Sequence, residues 1–472
     1  MRRLGLFLAL VSLALVGCAS SAPTPDLARI YSDPAKLIGN DRRPVIVIPG
    51  ILGSKLEDPS SRTPVWGAFV YGAADADKPD GARLIALPMR EGVPLRELRD
   101  EVTPTDVLDQ IEVDTLAFVR GVKFDAYVHI MRTLAAGRYR DQSLGESGAI
   151  DYGGLHDTCF QFAYDWRRDI AESAALLHET ILDAQHTARL AAGLPETEPL
   201  KVDVVAHSMG GLVLRYYLRY GTQRLPDDGS LPELTWAGAE RVANAILVGT
   251  PNAGSALALE QLVGGWSLFP IGPTYRPAVL GTMPAVYQLL PRARHNAVID
   301  LKTGAPIDVL DAGVWERYGW GLASPDADRV LRWLLPEVDR ESDRRRIALD
   351  HLSKALARAE QTHRALDLKA SPPPGTRLFL YAGDGEDTPE TLSISSDGRL
   401  RVRSQTAGDG TVTRPSALMD ERAGGPYLPR VRTPIDWHRV QFCFTDHIGL
   451  TNDPAFVDNL LFTLLEAPES PD

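Results

Sequence analysis

The sequence predicts an α/β fold: a mostly parallel sheet flanked by helices, with a cap or lid insertion. Three observations point to it. Short, continuously apolar runs such as Val45-Ile46-Val47-Ile48 and Val242 to Val248 recur along the 472 residues, with helix-length stretches between them. Runs without polar alternation are strands covered on both faces, as parallel strands are. One such run, Leu200 to Val205, leads through Ala206-His207-Ser208-Met209-Gly210-Gly211 into an amphipathic stretch, Leu212 to Tyr220. Strand, sharp turn and helix thus follow one another with a serine at the apex.

The elements follow in order. Val45 to Ile48 is a strand ended by Pro49-Gly50. Thr158 to Ala163 is a second strand, followed by Tyr164-Asp165-Trp166-Arg167 and a helix from Ile170 to about Leu190. The third strand precedes Ser208. Val242 to Val248 is the fourth and ends at Gly249-Thr250-Pro251-Asn252-Ala253-Gly254. Arg377 to Tyr381 and Arg439 to Phe444 are the fifth and sixth, and Pro454 to Leu465 is the last helix. Two insertions stand apart. Residues 55–115 are rich in Pro, Gly and charge. Residues 255–370 carry Trp266, Trp315, Trp320 and Trp333 and a charged helical stretch, Asp339 to Leu366. The reading is therefore a core in two parts, 41–254 and 371–467, with a cap or lid at 255–370.

The N-terminus reads as an address. Arg2 and Arg3 precede an apolar run, Leu4 to Val16, and small residues follow. This is the form of a secretory signal, and the run is short for a membrane span. Leu15-Val16-Gly17-Cys18 resembles the lipobox of bacterial lipoproteins, which implies a signal peptide at 1–17 and lipidation of Cys18. Ala19, in place of an aspartate, points to the outer membrane of a bacterial cell envelope. Residues 18–40, rich in Ser, Pro and Ala at first, read as a tether.

Composition narrows the function. The net charge is −12, and no basic run stands out, which argues against nucleic acid as a partner. Cys159 and Cys443 are the only cysteines after Cys18, too few for a disulfide scaffold. No Cys-x-x-Cys or His-Glu-x-x-His spacing is present, so neither a metal nor a cofactor is expected. No obligate protein partner is inferred.

Ser208 sits as the serine does in the nucleophile elbow of α/β-hydrolases, usually Gly-x-Ser-x-Gly, with Ala206 in place of the first glycine. Such a serine needs a base and an orienting acid, which follow it in the chain, acid first. His447 lies between the sixth strand and the last helix, where the base belongs. His438 lies before that strand, at the other end of the sheet. His295, His351 and His363 fall in the second insertion, the last two on its charged helix, and read as solvated. Two aspartates compete for the acid: Asp384, directly after the fifth strand, and Asp409 in Gly408-Asp409-Gly410-Thr411-Val412. A turn aspartate beside glycine is commonly a turn former, so local sequence leaves both open. Asp165 and Arg167 read as a structural polar contact. Gly265-Trp266-Ser267-Leu268-Phe269-Pro270-Ile271 is an apolar segment of the second insertion.

Taken together these blocks resemble the lecithin:cholesterol acyltransferase family, which includes lysosomal group XV phospholipase A2 and phospholipid:diacylglycerol acyltransferases. The residues that carry the resemblance are Val45 to Glu57, Tyr164 to Arg167, Ala206 to Gly211, Gly249-Thr250-Pro251, Asp409 to Val412 and Asp446-His447, in family order. The resemblance implies an α/β-hydrolase fold, with Ser208, Asp409 and His447 as the catalytic triad. It also implies that the N–H groups of Ile51 and Met209 form the oxyanion hole. The apolar segment Gly265 to Ile271 is implied to be a lid, with Leu262, Trp266, Leu268 and Phe269 as candidates for an acyl pocket. The activity it implies is serine acyl hydrolysis or O-acyl transfer on a lipid ester, phospholipid or acylglycerol, with the membrane surface met through the lipidated N-terminus. An esterase for a non-lipid ester or polyester, or a non-catalytic envelope lipoprotein, are the alternatives. The disulfide over the membrane side in animal members has no counterpart here, because no cysteine lies between 19 and 158. Cys159 and Cys443, on opposite sides of the sheet, are expected as two buried thiols.

Overall fold

The six apolar runs become six parallel strands in the computed structural model, which describes residues 25–36, 42–69, 73–108, 110–113, 122–125, 127–152, 157–267, 274–426 and 428–468. They are β1 (Val45–Ile48), β2 (Cys159–Gln161), β3 (Val202–His207), β4 (Val242–Val248), β5 (Arg377–Gly383) and β6 (Arg439–Cys443). Their spatial order is β6-β5-β4-β3-β1-β2. Successive side chains of a strand face opposite ways, and both faces here are covered. Ile46 and Ile48 of β1 join the larger hydrophobic cluster, while Val45 and Val47 join the smaller one on the other side.

Five helices matter for the site: α1 (Val128–Ala136), α2 (Ile170–Ala192), α3 (Met209–Tyr220), α4 (Glu341–Asp367) and α5 (Pro454–Leu465). α2, α3 and α4 supply the larger cluster, α1 and α5 the smaller. Asp169 caps α2 by accepting from the Ala171 N–H at 3.0 Å, and Gly193 closes it in the left-handed conformation. Asp453 caps α5, where Pro454 takes the first turn that needs no donor.

The structure adds to two expectations and corrects a third. Of the stretch read as a tether, residues 25–36 are described, and they lie against the body. Tyr31 is buried, and its hydroxyl donates to Asp458 Oδ1 of α5 at 2.7 Å. The signal peptide and Cys18 lie outside the described residues. Residues 255–370 reach both the cavity beside Ser208 and the larger hydrophobic cluster. The helix Ala256–Gly264 and the short hairpin Trp266–Ser267/Thr274–Tyr275 stand at a cavity beside Ser208, and α4 adds Ala348, Leu352, Ala355 and Leu356 to the cluster that α3 also builds. Finally, His351 and His363 are not solvated. They lie on the buried stripe of α4 with Ala348, Ala355, Ala359 and Leu366, and their Nε2 atoms bond the Thr282 and Gln288 carbonyls at 3.0 Å. Burial pushes their pKa values down to about 4 and about 3. The His295 side chain is also largely enclosed, 8% exposed and 3.4 Å from Glu421.

Two additions had no sequence reading. Within the first insertion, Ser54–Asp58, Thr63–Trp66 and Thr103–Val107 form an antiparallel sheet. After β5, Glu386–Ile394 and Leu400–Gly408 form a long antiparallel hairpin, extended in parallel by Val298–Asp300. Cys159 and Cys443 are buried free thiols on the two edge strands. Among the described residues no helix is long and apolar enough to cross a membrane.

Candidate active site

Ser208 occupies the turn between β3 and α3 with φ 53° and ψ −127°, a conformation that L-residues rarely adopt. Its surroundings hold it there. The Ser208 N–H donates to the Val248 carbonyl of β4 at 2.8 Å, and its carbonyl accepts from Gly211 N–H at 3.0 Å. The two following glycines are required by close approach. A Cβ at Gly210 would collide with the Pro49 carbonyl oxygen, and one at Gly211 with Thr250 Oγ1. Ala206 is fully buried, as its place in the crowded turn demands.

His447 reaches Ser208 across the ends of the strands. Its Nε2 lies 3.0 Å from Ser208 Oγ, and its Nδ1 lies 2.8 Å from Asp409 Oδ2. A carboxylate accepts only, so Nδ1 carries the proton and Nε2 is left to accept from the serine hydroxyl. Asp409 is buried, which by itself raises a carboxyl pKa. The His447 imidazole and the N–H groups of Val412 (2.7 Å) and Thr411 (3.0 Å) outweigh that and hold it below the usual range.

The two aspartates that local sequence left open turn out to be neighbours of the same strand end. The hairpin 386–408 leaves and returns to it, pairing Glu386 with Gly408 and bridging to Asp409. A Cβ on Gly383 would lie 2.5 Å from the Asp409 Cβ. Asp409 turns inward to His447, while Asp384 takes Arg414 Nη1 at 2.9 Å. His438 stands before β6, its N–H bonded to Leu378 at the start of β5, far from Ser208 along the strand.

Ile51 and Met209 flank the serine. Met209 opens α3 with its N–H at the helix N-terminus, where donors lack intrahelical partners. Ile51 follows the turn after β1. The Gly50 carbonyl accepts from Gly53 N–H at 3.1 Å. In a trans peptide the C=O and the next N–H point in opposite directions, so the Ile51 N–H faces away from that bond. Leu52, with φ 65°, is held by Trp66 Nε1, which donates to its carbonyl at 2.7 Å.

A cavity of about 230 Å³ opens beside Ser208 and His447. Its wall is mostly apolar and includes Leu52, Trp166, Trp266, Leu280, Val286 and Leu289. Trp66 ties this wall together, with ring centroids 5.6 Å from Trp166, 5.9 Å from Trp266 and 5.6 Å from Tyr275. The suspected lid thus begins as a hairpin that contributes Trp266 to the wall, whereas residues 268–273, with Leu268 and Phe269, lie outside the described residues. Leu262 is fully buried in the core. Arg167 is buried below, where it grips Asp165 (2.8 and 2.9 Å), Asp100 (2.9 Å) and the Leu84 and Ile85 carbonyls. That is a structural clamp holding the first insertion to the sheet.

Sequence reasoning missed two site residues, Tyr127 and His207. His207 is the last residue of β3 and fully enclosed. Its Nδ1 lies 3.0 Å from the Tyr127 hydroxyl, and its Nε2 lies 3.0 Å from the His447 carbonyl. Its position beside the serine was a signal; nothing in the local sequence around Tyr127 was.

The description Lecithin:cholesterol acyltransferase belongs to the family model that matches residues 150–303. Over this stretch the chain is lecithin:cholesterol acyltransferase-like. The match takes in β2, the elbow and β4, and stops short of Asp409 and His447. No curated protein matches the chain. Among solved structures, a chain of the Tle4–Tli4 complex is 16% identical, with a TM-score of 0.54 over 89% of this chain and 98% of that one. Bacillus licheniformis lipase BlEst2 is 11% identical, with a TM-score of 0.32 over 93% and 54%. Staphylococcus hyicus lipase is 13% identical, with a TM-score of 0.27 over 94% and 97%. At such identities the likeness is one of fold, and the fold is that of the α/β-hydrolases.

Proposed function

We propose that this protein is a serine acyl hydrolase or O-acyltransferase acting on lipid esters, with Ser208, His447 and Asp409 as its triad. The observation that carries the reading is the hydrogen-bonded line Asp409–His447–Ser208 at the wall of a mostly apolar cavity. In the reaction, His447 Nε2 takes the Ser208 proton as Oγ attacks the ester carbonyl. The carbonyl oxygen becomes an oxyanion held by the Ile51 and Met209 N–H groups. The tetrahedral adduct collapses, the alcohol leaves with the proton from His447, and an acyl-serine remains. Water or an alcohol then attacks with His447 again as base, which returns the serine. An apolar wall suits an acyl chain. The lecithin:cholesterol acyltransferase-like stretch supports a lipid ester over a non-lipid one.

The test is incubation with phospholipid vesicles, with and without a sterol, followed by product analysis. A fatty acid or acyl-sterol is expected from the wild type and neither from Ser208→Ala. A fluorophosphonate probe should label the wild type and not that variant. Labelling without lipid turnover would favour the non-lipid esterase. Equal failure of both proteins to label would mean a binding module on a hydrolase fold.

For location, the Leu15-Val16-Gly17-Cys18 pattern supports a protein lipidated on Cys18 and held at the outer membrane of a bacterial envelope. Cys18→Ser is expected to leave the membrane fraction. A wild-type N-terminus found unprocessed and unlipidated by mass spectrometry would remove the anchor from the proposal.

A further inference from the structure

The oxyanion turn and the base loop come from opposite ends of the chain, yet both must hold their places around Ser208 to within a fraction of an ångström. The structure contains a buried connection between them. Gly50 N–H donates to the Tyr127 hydroxyl at 2.7 Å. A hydroxyl that accepts there keeps its own proton free to give, and His207 Nδ1 is 3.0 Å away. The His447 carbonyl, which can only accept, lies 3.0 Å from His207 Nε2. With His207 held neutral by its burial, every direction in the chain is determined. Gly50 gives to Tyr127, Tyr127 gives to His207, and His207 gives to the backbone of His447. His207 is neutral, with its proton on Nε2.

We propose that Tyr127 and His207 are positioning residues whose hydrogen-bond chain ties the Gly50–Ile51 turn to the backbone of His447, setting oxyanion donor and base together against Ser208. The proposal deepens the serine acyl hydrolase reading and rests on it. Both residues are almost wholly buried, Tyr127 at 4% and His207 at 1% exposure. Both also line the cavity beside Ser208, and a buried network of this kind acts as a unit. Their rings also meet edge to face, with centroids 5.5 Å apart, and the His207 and His447 rings lie 4.7 Å apart. Burial, with His447 alongside, drives the His207 pKa down to about 3, so the link stays neutral while His447 cycles its proton. A second fixed cation beside the imidazolium would oppose proton transfer from the serine.

The test compares the full-length wild type with Tyr127→Phe, which removes only the hydroxyl. Turnover of a short-chain p-nitrophenyl ester is read as kcat and KM separately, per site titrated with a fluorophosphonate. Affinity for a boronic acid, which forms a tetrahedral adduct on the serine, is measured in parallel. The expected result is a kcat lower by about 10- to 100-fold, the scale set by small misplacements of catalytic groups. KM should stay within about two-fold, as for an interaction made only in the transition state. Boronate affinity should fall by the same factor as kcat/KM. A merely structural role would reduce the number of titrated sites and leave kcat per site and boronate affinity unchanged, and that outcome would overturn the proposal. Should Tyr127→Phe fail to fold, 15N NMR of the wild type reads the chain directly. His207 is expected with a bare Nδ1, a protonated Nε2 and no titration from about pH 5 to about pH 9. A proton on Nδ1 would overturn it. A wild type that takes no fluorophosphonate speaks against the hydrolase reading instead, and the NMR experiment still decides the chain.

Discussion

Two buried aspartates, Asp409 behind His447 and Asp203 near the start of β3, differ in one oxygen. Both are enclosed, at 2% and 0% exposure. In each, Oδ1 accepts two N–H bonds, from Thr411 and Val412 for Asp409 and from the backbone and side chain of Asn244 for Asp203. The difference lies at Oδ2. In Asp409 it accepts from His447 Nδ1 at 2.8 Å. In Asp203 it has no hydrogen bond among the described residues, and the Arg43 guanidinium stands off at 3.9 Å. Asp409 accordingly sits below the usual carboxylate pKa, whereas burial raises that of Asp203 to about 6. Burial alone does not set the charge of a carboxyl; the last donor does. The Ser208 end of the sheet favours the ionised carboxylate of Asp409, and the opposite end raises the pKa of Asp203 to about 6.

The sharpest way to break the comparison is to remove the difference at Oδ2. Asp409→Asn presents the wrong partner to His447 and is expected to lower kcat by about 10⁴, as in the best-measured triad. Asp203→Asn and Asp384→Asn should each leave kcat within about three-fold, because neither residue touches the triad. Steady-state kinetics on a soluble ester checks all three. An inactive Asp384→Asn beside an active Asp409→Asn would reverse the acid assignment.

Gly50→Ala comes next. The new Cβ would lie 2.7 Å from Ser208 Cβ and 3.2 Å from Oγ. Both serine and turn must shift, and a displaced oxyanion donor costs about 10²–10³ in kcat. Kinetics with a circular dichroism control for folding reads this, and wild-type activity would show that the turn yields freely.

The smallest effect is on stability and tests Asp203 alone. Folded, Asp203 keeps its proton up to about pH 6, and unfolded only up to 3.8. Between those values the native state binds more protons, so stability falls as pH rises. The contribution is full below about pH 3.8, is lost by pH values above about 6, and amounts to roughly 3 kcal/mol at ~1.4 kcal/mol per pH unit. Asp203→Asn has no such proton to lose. Denaturant melts at stepped pH should therefore show the wild type losing stability relative to the variant across that window, and parallel curves would refute the pKa.

Much of this arrangement is legible in the residues themselves. Val45–Ile48 and Val242–Val248 read as strands because continuous apolar runs bury both faces, and the observed bounds agree. The elbow reads from a strand, a serine and small neighbours, and His447 from its place before the last helix. These signals are local, or depend only on chain order, and neighbours in sequence carry them. His351 and His363 were misjudged because a charged helix suggests solvent, although both sit on its apolar stripe. That signal was local too, and its reading gave charge too much weight.

Other features belong to distances that sequence does not state. The choice of Asp409 over Asp384 depends on a hairpin of 23 residues, 386–408, folding back on itself so that its far end meets the tip of β5. The Tyr127 hydroxyl meets Gly50 and His207 only because α1 packs over the smaller face of the sheet. The six parallel strands and the helices beside them can be read from the residues alone, since backbone hydrogen bonding and the spacing of apolar residues are written in adjacent positions. Which distant side chains share a hydrogen bond was decided by packing, because chain closure brings together groups whose sequence separation carries no record of their contact.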